Sequence, residues 1–174
     1  GIWNDGQRDA FKRISAFIAG QGAVPAMQIG HAGRKASTAR PWDGAGSLGP
    51  DNSQGWQVIG PSALPFDDWQ TPVEMDGDAI ARVLGDFALA ARRASEAGFK
   101  LLELHAAHGY LCHSFLSPLS NRRTDEYGGS LKKRARFLME TIDAIRSEWP
   151  DDLPLFVRLS CTDWVEDGLT LDDT

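Results

Sequence analysis

Three of the four histidines in the chain fall within one nine-residue stretch, HAAHGYLCH, at residues 105–113. His105 and His108 are three residues apart, a spacing at which two imidazole N–H groups can donate to one oxygen. Two such donors stabilise a carbonyl that is becoming an enolate, as an oxyanion hole does. Tyr110 follows two residues later, and a phenol that is protonated at neutral pH can deliver one proton. The stretch therefore predicts a place where a carbonyl compound is bound and protonated.

Two other interpretations of these residues stay open. The histidines can instead hydrogen-bond loop carbonyls while Tyr110 packs beside them, which would make the stretch structural. A zinc site formed by His105, His108 and a carboxylate would indicate a metal-dependent hydrolase, although no H-E-x-x-H signature and no cysteine pair supports it. We interpret His113 as a surface or loop histidine.

Two further residues have types that suit a cofactor. Gln28, in the segment AVPAMQIG, has an amide that can read a planar ring edge with a donor beside an acceptor, or can satisfy buried backbone groups. Arg158, in LFVRLS, places a charge in an apolar strand, which is costly without a partner. Either it pairs with Glu103 or Asp163, or it lies beside a cofactor that gains negative charge on reduction.

The elements that must position these residues alternate along the chain. Apolar periodicity and capping residues predict helices over 7–20, over 77–98 after Asp76, and from Ser130 to about 145, with a last helical turn at 170–174. Short apolar runs predict strands over 23–30, 99–105 and 153–160, and the first and third of these are expected to be buried. This order predicts βαβ units and a parallel sheet.

The loops that follow the strands are long, and this favours an α/β fold of the (β/α)8 barrel type, whose active site lies at the C-terminal ends of the strands. A doubly wound sheet is the alternative. Residues 31–75 are rich in Gly, Pro, Ser, Asp and Trp, and we expect an ordered excursion packed through its tryptophans. We expect turns at 120–130, and packing roles for Cys112 and Cys161.

Composition excludes several classes of function. The chain has 174 residues, 42% of them hydrophobic, which suffices for one core. A net charge of -6 without a basic block disfavours nucleic acid as a partner. No apolar run reaches the length of about 18 residues that a membrane span needs. Two cysteines without metal or redox spacing indicate reduced thiols in a cytoplasmic protein.

Three motifs carry a resemblance to a known family. They are QIGHAGRKAS, ELHAAHGYLCHSFLSPLSNRRTDEYGGSLKKRARFLMETIDAIR and LFVRLSCTDW, in this order at three successive strand ends. Together they resemble the old yellow enzyme family of FMN-dependent ene-reductases, and most closely its bacterial branch of xenobiotic reductases and NADPH dehydrogenases. The resemblance implies a TIM barrel with bound FMN, which NADPH or NADH reduces and which then reduces the C=C bond of an α,β-unsaturated carbonyl compound.

The resemblance also implies a role for each matching residue. His105 and His108 would bind the carbonyl oxygen of the substrate, and this His/His pair matches the branch rather than members with His/Asn. Tyr110 would give a proton to the α-carbon. Gln28 would read the flavin pyrimidine edge, and Arg158 would lie near flavin N1 and O2.

The matched region corresponds to about three βα units, resembling strands three to five of eight. We expect residues 1–174 to be a single segment of an FMN-binding barrel domain, truncated at both ends. Two explanations stay open: an internal portion of a longer enzyme, or a chain whose sheet a homo-oligomer or the remainder of the barrel completes. The segment alone would then be an inactive, non-catalytic fragment or a part of the working enzyme.

Overall fold

Five helices and five strands follow one another in the computed structural model, which describes all residues from 1 to 174. The helices are α1 (Asp5–Gly20), α2 (Gly77–Glu96), α3 (Leu111–Leu116), α4 (Leu131–Arg134) and α5 (Arg136–Arg146). The strands are β1 (Ala26–Ile29), β2 (Ile59–Gly60), β3 (Val73–Glu74), β4 (Leu101–Ala106) and β5 (Leu155–Leu159).

These elements belong to two compact units. The first unit comprises residues 1–30, 79–105 and 139–158, and it contains most of the main sheet and of its helices. The second comprises residues 31–78, 106–138 and 159–174, and it contains the long segments that follow the strands.

A three-stranded sheet in the order β1–β4–β5 forms the base of the first unit. Strand β1 runs parallel to β4, with Ala26 opposite Leu101 and Ile29 opposite Leu104. Leu102 and Leu104 are fully buried, as expected for a central strand. Helix α5 lies between β4 and β5 along the chain, so the predicted alternation of helices and strands is confirmed.

Helix α2 follows its predicted boundaries closely. Ile80, Val83 and Phe87, which the sequence places at helical spacing, are all buried. Gly98 follows the helix with φ +90°, a left-handed conformation that glycine adopts readily. The loop to β4 is therefore short.

Helix α1 begins two residues before its predicted start because Asn4 caps it. The Asn4 side chain accepts from the Gln7 N–H at 3.0 Å, and Gln7 Oε1 accepts from the Asn4 N–H at 3.1 Å. Its apolar stripe lies largely outside the core, since Phe17 is 68% exposed. Ser15 attaches the helix by donating its hydroxyl proton to the Ala97 carbonyl.

The burial predicted for the outer strands is wrong. In β1 only Ile29 is buried, and β5 has no buried residue, with Phe156 53% exposed. These strands are the two ends of the sheet order, and each is hydrogen-bonded to a strand on one side only. An apolar composition does not specify whether a neighbour covers it.

Residues 31–75 form an ordered excursion in the second unit, as predicted. It contains two 3-10 turns and the short parallel pair β2–β3. The Gln70 side chain accepts from the Val58 N–H at 2.9 Å and donates to the carbonyls of Leu48 and Trp56 at 3.0 and 3.1 Å. Side-chain hydrogen bonds to the backbone therefore order this segment.

The predicted packing of the tryptophans is wrong for most of them. Trp42 is 77% exposed and Trp56 is 56% exposed. Trp69 is half-buried and contacts Phe66 edge to face, with ring centroids 5.3 Å apart. Order in the excursion thus depends little on buried tryptophan area.

Helix α3, within a segment expected to be a loop, is the main unpredicted element. All six of its residues are buried, and the Phe115 ring stacks on Phe137 of α5 at a centroid distance of 4.2 Å. Ser130 stands at the N-cap position of α4 as predicted, but its side chain makes no capping hydrogen bond. None of the helices combines the length and apolar composition that crossing a membrane requires.

Candidate active site

The residues predicted to do chemistry lie on β1, β4 and β5 or in the turn that follows β4. The first unit carries Gln28, His105 and Arg158, and the second unit carries His108 and Tyr110.

Gln28 lies on β1 directly opposite Glu103 of β4. Its side chain is exposed, and Nε2 donates to Glu103 Oε1. The amide is thus oriented by a neighbouring carboxylate rather than by backbone groups.

Arg158 lies exposed on β5, in the first unit. The two carboxylates that the sequence offered as its partners have other ones. Glu103 accepts from Gln28, and Asp163 accepts from His113. The expectation of an ion pair with either carboxylate is therefore wrong, and the guanidinium is available to a ligand.

His105 lies near the end of β4 and is 8% exposed. Gly30, just after β1, lies against it, since a Cβ at Gly30 would be 3.0 Å from the His105 Cβ. The absence of a side chain at Gly30 therefore allows the histidine to occupy this position.

His108 is exposed and adopts a left-handed backbone conformation, with φ 60°, and Gly109 follows with φ 73°. The His108 N–H donates to Ser160 Oγ at 3.0 Å. Its carbonyl accepts from Lys35 Nζ at 2.9 Å. These contacts hold the backbone of a residue whose conformation is uncommon outside glycine.

Tyr110 is half-buried at the N-cap position of α3. Its N–H donates to the Ala107 carbonyl at 3.1 Å, and its carbonyl accepts from the Ser114 N–H at 2.7 Å. The backbone that carries the phenol is thus held on both sides.

His113, interpreted from the sequence as a surface or loop histidine, is 8% exposed, so that interpretation is wrong. Its Nδ1 accepts from the Gly109 N–H at 2.7 Å, and its Nε2 lies 3.0 Å from Asp163 Oδ1. Burial lowers the pKa of His113, outweighing the opposite effect of the Asp163 carboxylate. The Gly109 contact works in the same direction, because a protonated ring has no acceptor.

Asp163 is held by more than the histidine. Its Oδ2 accepts from Ser117 Oγ at 2.7 Å and from the Leu169 N–H at 2.8 Å. The sequence places Asp163 after the third predicted strand but has no signal that pairs it with His113, fifty residues away.

Lys35 is a second residue that sequence reasoning missed. Its Nζ lies 4.0 Å from the centroid of the Phe66 ring, in addition to its bond to the His108 carbonyl. Partial burial, and secondarily the neighbouring Arg34, lowers the pKa of Lys35. The long excursion therefore contributes a cation to the turn that carries His108.

The segment after β1 also contacts the start of α3. The Leu111 N–H donates to the His31 carbonyl at 2.9 Å. Gly33 has φ 58°, and a Cβ there would lie 3.1 Å from both the backbone N and the Cα of Leu111. A glycine is thus required by conformation and by space.

The two cysteines and a metal site are the remaining features considered from the sequence. Cys112 is buried as predicted, whereas Cys161 is exposed, and both are free thiols. No group of three or more His, Cys, Asp or Glu side chains that could hold a metal ion is found.

Comparison with known proteins gives consistent matches over the whole chain. The model of the NADH:flavin oxidoreductase / NADH oxidase family matches residues 1–174. An NADPH dehydrogenase of Bacillus velezensis is 46% identical over 174 residues, which are 99% of this chain and 46% of that protein. The chain thus spans about half the length of the curated relatives it matches.

Two solved structures resemble the chain closely. Morphinone reductase in complex with tetrahydroNAD has a TM-score of 0.81 and 31% identity over 98% of this chain and 48% of its own. The old yellow enzyme homologue from Zymomonas mobilis has a TM-score of 0.80 and 29% identity over 99% of this chain and 48% of its own. The predicted fold, three βα units of a TIM barrel, is confirmed.

Proposed function

Since the chain belongs to the NADH:flavin oxidoreductase / NADH oxidase family, we propose that the full-length protein uses FMN to reduce activated C=C bonds. NADPH or NADH would be the source of the hydride, and an α,β-unsaturated carbonyl compound would be its acceptor. The observation that carries this proposal is the end of β4, where His105, His108 and Tyr110 supply two N–H donors and one O–H donor within six residues.

Residues on β1 and β5 fit the pyrimidine end of a flavin. The Gln28 amide is exposed and has a donor beside an acceptor, as that ring edge does. The Arg158 guanidinium is exposed, and Glu103 and Asp163, the two carboxylates considered as its partners, are bonded to other groups. We assign Gln28 to the ring edge and Arg158 to the negative charge of the reduced ring. The chemistry that FMN supplies when bound is hydride transfer.

The side chains of His105, His108 and Tyr110 act on the substrate. His105 and His108 each donate an N–H to the carbonyl oxygen, which becomes more negative as hydride reaches the β-carbon. Tyr110 transfers its phenolic proton to the α-carbon. One hydride and one proton are thereby added across the C=C bond.

An enone and NADPH or NADH are the proposed small-molecule partners. The cytoplasmic location and the homo-oligomer predicted from the sequence stay predictions. The metal-dependent hydrolase is not carried forward, because no grouping of side chains favours it. Whether the 174-residue segment alone binds FMN is tested by FMN retention after desalting, and its activity is tested by the same enone assay.

The test uses the full-length protein loaded with FMN. It should show NADPH-dependent loss of 2-cyclohexenone absorbance, and the proposal fails if the loaded protein leaves the enone unchanged.

Tyr110→Phe separates the proton donor from the hydride path. Reoxidation of the reduced flavin by the enone should slow by about 10²- to 10⁴-fold, because a positioned general acid is lost. Flavin reduction by NADPH should change little. Tyr127→Phe is the matched control, since Tyr127 is the only other tyrosine of the chain. An equal loss in both half-reactions would remove Tyr110 from this role.

A further inference from the structure

The left-handed turn between His108 and Tyr110 is held by hydrogen bonds to residues outside the turn. Two consecutive residues, His108 and Gly109, have positive φ, and for a histidine this conformation is unfavourable unless contacts fix it. Ser160 and Lys35 bind the backbone of His108 on its two sides. The Gly109 N–H donates to His113 Nδ1.

The bond from Gly109 defines the state of the His113 ring. Because a backbone N–H donates to Nδ1, that nitrogen is unprotonated, and in the neutral ring the proton lies on Nε2. Nε2–H then donates to Asp163 Oδ1 at 3.0 Å. A single tautomer thus satisfies both contacts.

The carboxylate that selects this tautomer is itself fixed. Asp163 accepts from the Ser117 hydroxyl and from the Leu169 N–H through its other oxygen. The side chains of His113 and Asp163 are 10% and 7% exposed, so water competes little for these bonds. All of these residues lie in the second unit.

We propose that His113 and Asp163 are a positioning pair, which through the Gly109 N–H sets the backbone that presents His108 and Tyr110 to the substrate. Neither side chain is assigned a contact with substrate or flavin. The proposal deepens the enone reductase function and rests on it for its kinetic consequence. In this pair the buried Asp163 carboxylate orients the His113 ring, as carboxylates commonly do for histidines.

The titratable groups that act on the charge of His113 are Asp163, Lys35 and His108. Lys35 and His108 disfavour a second positive charge, whereas Asp163 favours it. The neutral ring that the geometry requires is thus supported by burial and by two of these three neighbours.

Two substitutions separate the two nitrogens of His113. In His113→Asn the amide oxygen takes the place of Nδ1, so the acceptor for Gly109 is kept and the contact with Asp163 is lost. In His113→Gln the amide nitrogen reaches the place of Nε2, so the Asp163 contact is kept and the acceptor for Gly109 is lost. Each variant therefore serves as the control for the other.

The kinetic test uses full-length protein whose FMN has been reduced with dithionite, so that nicotinamide binding plays no part. Reoxidation at saturating 2-cyclohexenone should slow by up to about 100-fold in His113→Gln, because the proton donor is displaced. His113→Asn should recover most of this loss. Equal losses, no loss in either, or the reverse order would overturn the proposal.

A measurement without turnover tests the pair separately. The ¹⁵N chemical shifts of His113 in the wild-type protein should show Nε2 protonated and Nδ1 unprotonated, with a coupling between Nδ1 and the Gly109 amide. A proton on Nδ1 would refute the pair even if the variants do not fold. If the wild type lacks enone reductase activity but shows the expected shifts, the proposed function fails while this structural arrangement stands.

Discussion

Replacing Arg123 with methionine should destabilise the second unit strongly, because this side chain joins three parts of the chain. Its side chain is 7% exposed, with Nη1 donating to the Pro61 and Met75 carbonyls at 3.0 and 2.7 Å. Its other nitrogens donate to Asp125 at 2.5 to 3.1 Å. Residues 61 and 75, near the two ends of one loop, are thereby fixed to residue 123.

The expected magnitude follows from the groups left behind. Methionine keeps much of the apolar stem but has no donor, so the carbonyls of the buried residues Pro61 and Met75 lose their partner. An unsatisfied buried acceptor costs about 1–3 kcal/mol, so two predict a loss of about 2–6 kcal/mol. The Asp125 side chain is half-exposed, so in Arg123→Met water replaces much of the contact that Asp125 makes with Arg123.

Arg122→Met is the matched control, because Arg122 is the exposed neighbour. Its contact is made by the backbone N–H, which donates to Ser62 Oγ and survives the change. We expect it to alter the free energy of unfolding by less than about 0.5 kcal/mol.

The assay is urea unfolding of the full-length protein at pH 7, followed by circular dichroism. The two variants should differ in midpoint at a similar slope. If Arg123→Met is within about 1 kcal/mol of Arg122→Met, the hydrogen bonds to Pro61 and Met75 do not have the energetic role described.

Two further predictions concern His113 and Gly33, which contact Gly109 and Leu111 near the start of α3. Folding lowers the pKa of His113, so its contribution to stability is complete above the unfolded pKa of about 6.5 and is lost as pH falls through the folded value. Between pH 7.5 and 5.5, the urea midpoint should therefore fall more steeply in the wild type than in His113→Asn. Equal slopes for the two proteins would contradict this prediction. Gly33→Ala should destabilise the protein by about 1–3 kcal/mol, because it combines strain at φ 58° with a contact 3.1 Å from the Leu111 backbone. Gly22→Ala is the control, since its φ is also positive but its Cβ has open space. The difference in thermal unfolding between the two variants separates the clash from the strain.

The sequence predicts those elements whose information is local. Helix α2 and strand β4 were predicted because periodic apolar residues fill whole turns or a whole buried strand. Helix α3 has six residues, all buried, and so it shows no polar face from which a period could be recognised. Exposure of β5 depends on what lies beside it, which local composition does not contain.

The same distinction holds for the candidate site. His105, His108, Tyr110, Gln28 and Arg158 follow from their positions at strand ends together with the resemblance to a family. The burial of His113 could not be predicted, because it depends on Asp163 in a segment that two helices and a strand separate from it. The contact of Lys35 with the His108 carbonyl spans 73 residues for the same reason.

The left-handed backbone at residue 108 restricts which side chains evolution or a mutant library can place there. With φ 60°, β-branched and bulky residues are penalised, whereas Gly, Asn, Asp and His are tolerated. Of these four, only Asn and His offer an N–H to a carbonyl oxygen. His and Asn are thus the side chains at position 108 that suit the proposed donor role, and a screen for altered substrate range gains more diversity from neighbouring positions.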